Sequence, residues 1–137
     1  MKFMSRLDKE QRGVGGGEGT VQPDGALQYE SVISIESQAV QGVRFAIHRV
    51  SFGRRMELSR RVRELSRKAE FLEAGTEMHE KIEASILAQE IDAMYLHWGL
   101  FSIEGLIIDG EPATAVRLLE KGPEDLTREV VSAIKEQ

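Results

Sequence analysis

Apolar residues recur at helical spacing between residues 51 and 98, in two stretches that Gly75 separates. In the first stretch the spacings are four, three, four and three, which indicates one narrow apolar face; it consists of Leu58, Val62, Leu65, Ala69 and Leu72. The second stretch carries Met78, Ile82 and Ile86, followed by Leu87, Ile91, Met94, Tyr95 and Trp98. The pattern predicts two amphipathic helices that pack antiparallel, each about 30–35 Å long at 1.5 Å per residue.

Residues that favour helix ends bracket both stretches. Ser51 and Thr76 each carry a side-chain oxygen that can accept a hydrogen bond from a first-turn N–H, so we expect them to cap the two helices. Gly75 suits the left-handed conformation that closes many helices. We therefore expect one continuous helix from Arg54 to Glu73, a turn at Gly75, and a second helix that returns along the first.

Period-two alternation marks the segment before the first helix. Inward positions Val43, Phe45 and Ile47 alternate with polar or small residues, which is typical of a strand with one buried face. Gln41-Gly42 can form a tight turn, and the residues before it are rich in β-branched side chains: Val32, Ile33, Ile35 and Val40. We expect a β-hairpin over residues 30–50 that leads directly into the helix at Ser51.

After the second helix the pattern predicts short strands and then two more helices. Residues 100–104 and 106–108 have strand character, with turns at Glu104-Gly105 and Asp109-Gly110. Pro112 is placed to open a third helix over residues 113–121, which Gly122 would close. Pro123 and the acidic residues after it favour the start of a fourth helix, whose apolar stripe is Leu126, Val130 and Ile134.

The predicted fold class is therefore α+β and mainly helical. It comprises an N-terminal β-hairpin, a long antiparallel helical hairpin, a short β-turn segment and two C-terminal helices. Residues 1–26 are predicted to be a disordered glycine-rich arm, because five glycines fall between positions 13 and 19 and the apolar residues around them have no period. Residues 27–137 are predicted to form a single domain.

Composition narrows the classes of function. The chain has no cysteine, which excludes disulfides, thiolate metal sites and thiol catalysis. No apolar run approaches the roughly 18–20 residues that a membrane-spanning helix needs. We expect a cytoplasmic protein, in the host cytoplasm if it is phage-encoded, with no membrane partner, and the sequence leaves open whether it forms a homo-oligomer.

Charge divides the chain into two parts. Residues 44–68 hold nine basic and two acidic side chains, whereas residues 69–137 hold fifteen acidic and five basic ones. The first helix is therefore cationic and the second anionic. Three accounts of the basic cluster stay open: neutralisation by the second helix, an acidic protein partner, or nucleic acid.

No set of residues predicts catalysis or metal binding. The three histidines are scattered, and His79 with Glu83 lacks the second histidine of a zinc protease motif. The acidic side chains of the second helix are interpreted as a solvated face; they are Glu77, Glu80, Glu83 and Glu90. We expect no cofactor, no metal and no enzymatic activity.

Large flexible or aromatic side chains are interpreted as core, or alternatively as part of a groove for a partner helix. These are Phe52, Met56, Phe71, Met78, Met94 and Trp98. His97 is expected at the edge of the core, and His48 is expected to be exposed.

Two segments resemble small phage and prophage tail assembly chaperone proteins. In the first, residues 43–58, a strand runs into a helix through Ser51-Phe52-Gly53. The second is Leu100-Phe-Ser-Ile-Glu-Gly-Leu-Ile-Ile-Asp-Gly-Glu-Pro-Ala-Thr, followed by Gly122-Pro-Glu and a terminal helix. The similar region spans about residues 43–134.

The resemblance implies a non-virion, non-catalytic factor that binds the tape measure protein during tail assembly and helps the tail tube protein polymerise around it. Such proteins bind through helical surfaces, so we expect partner contacts on the first helix, at Phe52, Arg54, Arg55, Met56, Arg60, Arg63 and Arg67. The alternatives are a nucleic-acid-binding regulator that uses the basic helix 54–68 and a structural phage virion protein.

Overall fold

The computed structural model describes residues 25–137 and the backbone of Thr20 and Val21, and it divides into two compact units, Met1–Ser31 and Val32–Gln137. In the first unit, β1 (Thr20–Val21) pairs antiparallel with β2 (Leu27–Gln28). Thr20 and Val21 belong to the segment that the sequence predicts to be a glycine-rich arm. The rest of that predicted arm, up to residue 24, lies outside the described residues.

The second unit is built on a three-stranded antiparallel sheet of order β3-β4-β5. Strands β3 (Val32–Glu36) and β4 (Arg44–His48) form the predicted hairpin, with Val32 opposite His48 and Glu36 opposite Arg44. Strand β5 (Leu100–Glu104) pairs with β4, and Ile47 lies opposite Leu100. The sequence did not predict this second pairing, which joins residues on either side of the helical hairpin.

Two helices of 22 residues each connect β4 to β5: α1 (Phe52–Glu73) and α2 (Met78–Gly99). The predicted continuous helix from Arg54 to Glu73 is confirmed. Ser51 caps α1 as expected, because its hydroxyl accepts a hydrogen bond from the backbone N–H of Arg54 at 3.2 Å. The two helices pack antiparallel through the chain reversal at residues 74–77.

The reversal differs from the prediction in two ways. Glu77, not Thr76, caps α2: the Glu77 carboxylate accepts from the Glu80 backbone, and the Glu77 N–H donates to the Glu80 carboxylate at 3.2 Å. Gly75 does not take the left-handed conformation. The C-cap residue of α1 is Ala74, which has ordinary right-handed geometry. A Cβ at residue 75 would instead collide with the Glu80 carboxylate, so this glycine makes room for the cap.

The C-terminal segment forms a small hairpin and two helices. Strands β6 (Ile107–Ile108) and β7 (Glu111–Pro112) pair antiparallel across Asp109 and Gly110, whose φ angles of 51° and 83° suit a tight hairpin turn. Pro112 therefore belongs to a strand and does not open a helix. Helix α3 (Ala115–Lys121) begins later, where the Thr114 hydroxyl accepts from the Arg117 N–H.

Helix α4 (Glu124–Lys135) begins after Pro123 as predicted and supplies much of the core. Its apolar stripe is buried against the sheet, α2 and α3, and the fully buried side chains of the unit lie mainly here and in and beside β4. They are Val43, Phe45, Ile47, Leu96, Leu118, Leu126 and Val130. The Glu129 carboxylate fixes α4 to the β3–β4 turn by accepting from the Ser37 hydroxyl at 2.6 Å and the Gln38 N–H at 2.7 Å.

Gly105 provides a test of the β4–β5 pairing. Its φ is +88°, and a Cβ there would collide with the carbonyl oxygen of Gly42, whereas Gly110 has a similar φ of +83° with open space around it. Both alanine substitutions strain the backbone by about 1 kcal/mol, and Gly105→Ala adds a steric clash, for a total loss of about 2–4 kcal/mol. Urea denaturation should show the larger loss for Gly105→Ala. Equal losses at the two positions would mean that the contact does not constrain the sheet.

Candidate functional site

The inner face of α1 is only half-buried. The five residues of the predicted apolar seam all have intermediate exposure and face α2, which is the main packing partner of α1. None of the residues of α1, all of which the structure describes, is fully buried. The seam prediction is confirmed, but α1 lies at the surface along its whole length.

The opposite face of α1 carries an exposed row of residues at spacings of four, four, three, four and four. Residues two positions apart lie on opposite sides of a helix; Arg60, for example, is two positions from both Leu58 and Val62. The exposed fractions are 84% for Phe52, 45% for Met56 and 76% for Phe71, so the interpretation of these three as core is wrong. We call this row the outer row; it consists of Phe52, Met56, Arg60, Arg63, Arg67 and Phe71.

Among the described residues, the arginines of the outer row have no acidic partner. In the described part of the chain, no carboxylate lies within 4 Å of Arg60, Arg63 or Arg67, and no ion pair joins α1 to α2. Arg61 pairs with Glu57 on its own helix at 2.9 Å. Among the described residues, α2 therefore does not neutralise the basic cluster through ion pairs. The side chains of Arg60, Arg63 and Arg67 are available at the surface.

Arg54 points the other way and holds the base of the hairpin together. Its guanidinium carbon lies 4.5 Å from the centre of the Trp98 ring, and its Nη2 donates a hydrogen bond to the Trp98 carbonyl oxygen. Arg54 Nε and Trp98 Nε1 are buried without a partner among the described residues. The contact joins the first turn of α1 to the last turn of α2.

Five of the seven residues predicted to bind a partner thus share one face, namely Phe52, Met56, Arg60, Arg63 and Arg67. Arg54 is engaged inside the chain, and we leave it out of the candidate site. Arg55 is exposed but lies beside the seam, one position before Met56 and three before Leu58. Phe71 completes the face. It was not among the seven, because the sequence led us to interpret it first as core, and only the orientation of α1 shows that it is exposed.

A second exposed face lies on the N-terminal half of α2. Ala84 and Leu87 mark the buried face of this half of the helix, and Met78, Ile82 and Ile86 lie on the opposite side. The exposed fractions of these three side chains are 74%, 53% and 45%. The expectation that these three residues form part of the face of the second helix that packs on the first is wrong, as is the interpretation of Met78 as core. We call this face the bare stripe; it consists of Met78, Ile82, Ser85, Ile86 and Gln89.

The three histidines lie apart in the fold, one on β4 and two near opposite ends of α2. His48 is half-buried against the edge of Phe101, with ring centres 5.4 Å apart, and burial, followed by the positive charge of Arg54, lowers the pKa of His48. His79 and His97 are exposed. Among residues 25–137, no three histidine or carboxylate side chains are arranged to hold a metal ion.

No helix in the described part of the chain has the length and apolarity to cross a bilayer. Comparison with known proteins adds no identity: no family model matches the chain, and no curated protein or solved structure is significantly similar to it. The surfaces of the hairpin and the motif resemblance are therefore the grounds for inferring function.

Arg54→Ala tests the contact at the base of the hairpin. Loss of the cation–π contact and of the hydrogen bond should lower the free energy of unfolding by about 1–2 kcal/mol. Removing the neighbouring charge should also raise the pKa of His48, which an NMR titration of the imidazole measures. Arg55→Ala is the matched control and should change stability by less than about 0.5 kcal/mol. Equal stabilities and an unchanged His48 pKa in the two variants would contradict the assignment.

Proposed function

We propose that this protein is a non-catalytic binding factor whose outer row on α1 holds an acidic amphipathic helix of a larger polypeptide. The observation that carries the proposal is the set of exposed arginines, Arg60, Arg63 and Arg67, that lack acidic partners among the described residues and lie between exposed apolar side chains. The biological role that we propose is that of a tail assembly chaperone for the tape measure protein of a phage or prophage.

The outer row has the dimensions of a helix-binding surface. From Phe52 to Phe71 it extends about 28 Å at 1.5 Å per residue, which matches a partner helix of about five turns. Apolar side chains at both ends can bury against a partner, and the arginines between them can pair with carboxylates spaced three or four residues apart. Such complementarity fixes the register of the partner and raises the association rate.

The tail assembly role is supported by the resemblance. Its first segment, residues 43–58, covers β4 and the start of α1, and its second segment includes β5, β6 and β7. Of these elements, β4 and β5 pair with each other and flank the hairpin in the chain. A surface that binds helices reversibly suits a factor that keeps a long helical tape measure protein accessible until the tail tube protein polymerises around it.

Nucleic acid is the second candidate for the same arginines. Phosphates would pair with unpartnered guanidinium groups as readily as carboxylates do. The net charge of −5 and the apolar ends of the row favour a protein partner. A structural role in the virion is the third candidate, and it predicts that purified particles contain the protein in stoichiometric amounts.

Co-expression with the tape measure protein encoded by a neighbouring gene tests the proposal. Wild-type protein should co-purify with it at ~50 mM salt and lose it near ~500 mM, because screening weakens exposed charge pairs. The triple variant Arg60→Gln, Arg63→Gln, Arg67→Gln should lose at least about tenfold in affinity. The matched control, Arg55→Gln, Arg61→Gln, Lys68→Gln, removes the same charge from the same helix outside the row and should bind as wild type does.

Three results would contradict the proposal. The first is failure of the wild-type protein to co-purify at low salt. The second is equal loss of binding in both triple variants, which would indicate net charge instead of a defined face. The third is tight binding to a ~20 bp DNA duplex with a steep salt dependence, since counterion release would then identify phosphate as the ligand.

A further inference from the structure

The bare stripe is a largely apolar surface on one side of α2. It is the N-terminal part of a longer row of residues, and the other described elements of the fold cover only the C-terminal part of that row. None of its five residues is charged, all five are exposed, and three of them are large apolar side chains. The same row continues into Ala93, which is half-buried, and Leu96, which is fully buried, where α2 packs against α3 and α4. The C-terminal half of the row is therefore a packing interface, and the N-terminal half has no cover among the described elements.

Charge indicates what fits this stripe. Helix α2 has four acidic side chains and one lysine, net −3, whereas α1 has seven basic and four acidic ones, net +3. Glu83 and Glu90 each directly follow a residue of the stripe, and within the described residues neither has a cationic partner. Although α1 and α2 have opposite net charge, no ion pair joins them among the described residues of one copy.

We propose that the bare stripe binds the outer row of α1 from a second copy of this chain. If two α2 stripes packed antiparallel across a two-fold axis, each flank of one helix would lie beside the identical flank of the other. Glu83 and Glu90 would then face the same two carboxylates of the second copy, and their like charges would repel. A contact between α1 and α2 of different copies places arginines beside these carboxylates. The aliphatic stems of Arg60, Arg63 and Arg67 can cover Ile82 and Ile86 while their guanidinium groups reach the flank.

This contact is heterologous, because the outer row faces away from α2 and the bare stripe faces away from α1, so the two faces lie on opposite sides of the hairpin and meet different copies. It generates rings or open chains rather than a closed two-fold dimer. The bare stripe spans about 17 Å of helix, which suits a weak, concentration-dependent association. Because the neighbouring copy occupies the outer row, self-association and binding of the partner helix exclude each other.

Sedimentation of the purified chain tests the contact. At ~50 mM salt the average mass of the wild-type protein should rise above 15.3 kDa between ~5 and ~500 μM, and near ~500 mM salt it should fall back. Ile82→Gln should raise the dissociation constant by about tenfold or more. Ile107→Gln, a matched substitution at a site of 64% exposure in β6, should associate as wild type does. Wild-type protein that is monomeric throughout, or equal effects of the two substitutions, would overturn the proposal.

Mixing two defective variants tests the head-to-tail arrangement. Ile82→Gln has a damaged stripe and an intact outer row, and the triple variant Arg60→Gln, Arg63→Gln, Arg67→Gln has the reverse. At a concentration where the wild-type protein associates and each variant alone is monomeric, the mixture should form a one-to-one dimer through the one intact pair of faces. Self-association of the triple variant alone, or a mixture without dimers, would overturn the proposal. The co-purification experiment is independent, so failure of either proposal is recognised separately.

Discussion

The pairing of β4 with β5 is the constraint on which the helical hairpin depends. Ile47 lies opposite Leu100 in the sheet, α1 begins a few residues after β4, and α2 ends directly before β5. The two strands therefore hold the start of α1 beside the end of α2. Arg54 reinforces this base by stacking on Trp98, and the apolar seam maintains contact between the helices beyond it. The orientation of both exposed faces follows from these contacts.

The distribution of burial has a functional consequence. The core is formed by the sheet, the C-terminal half of α2 and the last two helices, while α1, described along its whole length, contributes only half-buried side chains. A helix packed on one narrow face leaves the rest of its surface for other polypeptides. Here the exposed surfaces of α1 and α2 carry opposite net charge. The two helices of one copy are therefore complementary in charge.

Local signals in the sequence predicted much of this fold. The seam of α1, the Ser51 cap, the β3–β4 hairpin and the stripe of α4 each depend on residues close together in the chain, so periodicity reveals them. The prediction that Pro112 opens a helix was wrong, because a proline is compatible both with the first turn of a helix and with a short edge strand such as β7. The prediction that Thr76 caps the second helix was wrong, because it considered only hydroxyl side chains. Glu77 and Glu80 instead cap the helix through reciprocal hydrogen bonds.

The candidate site was only partly readable from sequence for a related reason. Helix α2 has apolar residues on two sides, and periodicity cannot decide which side faces the core; Met78, Ile82 and Ile86 were placed on the wrong one. Arg54 and Trp98 are 44 residues apart in the chain, so their contact depends on tertiary structure. The spacing of the outer row is visible in the sequence, but only the orientation of α1 shows that Phe52, Met56 and Phe71 are exposed beside its arginines.

The central claim is that α1 is held mainly by its seam and its base, and that its outer row is exposed along the whole helix. Native-state amide hydrogen exchange at low protein concentration tests it most directly, because it measures the opening free energy of each segment. We expect amides from Val62 to Glu73 to exchange through local opening, well before those of β4 and of α4 around Val130. Protection of α1 equal to that of α4 would contradict the account.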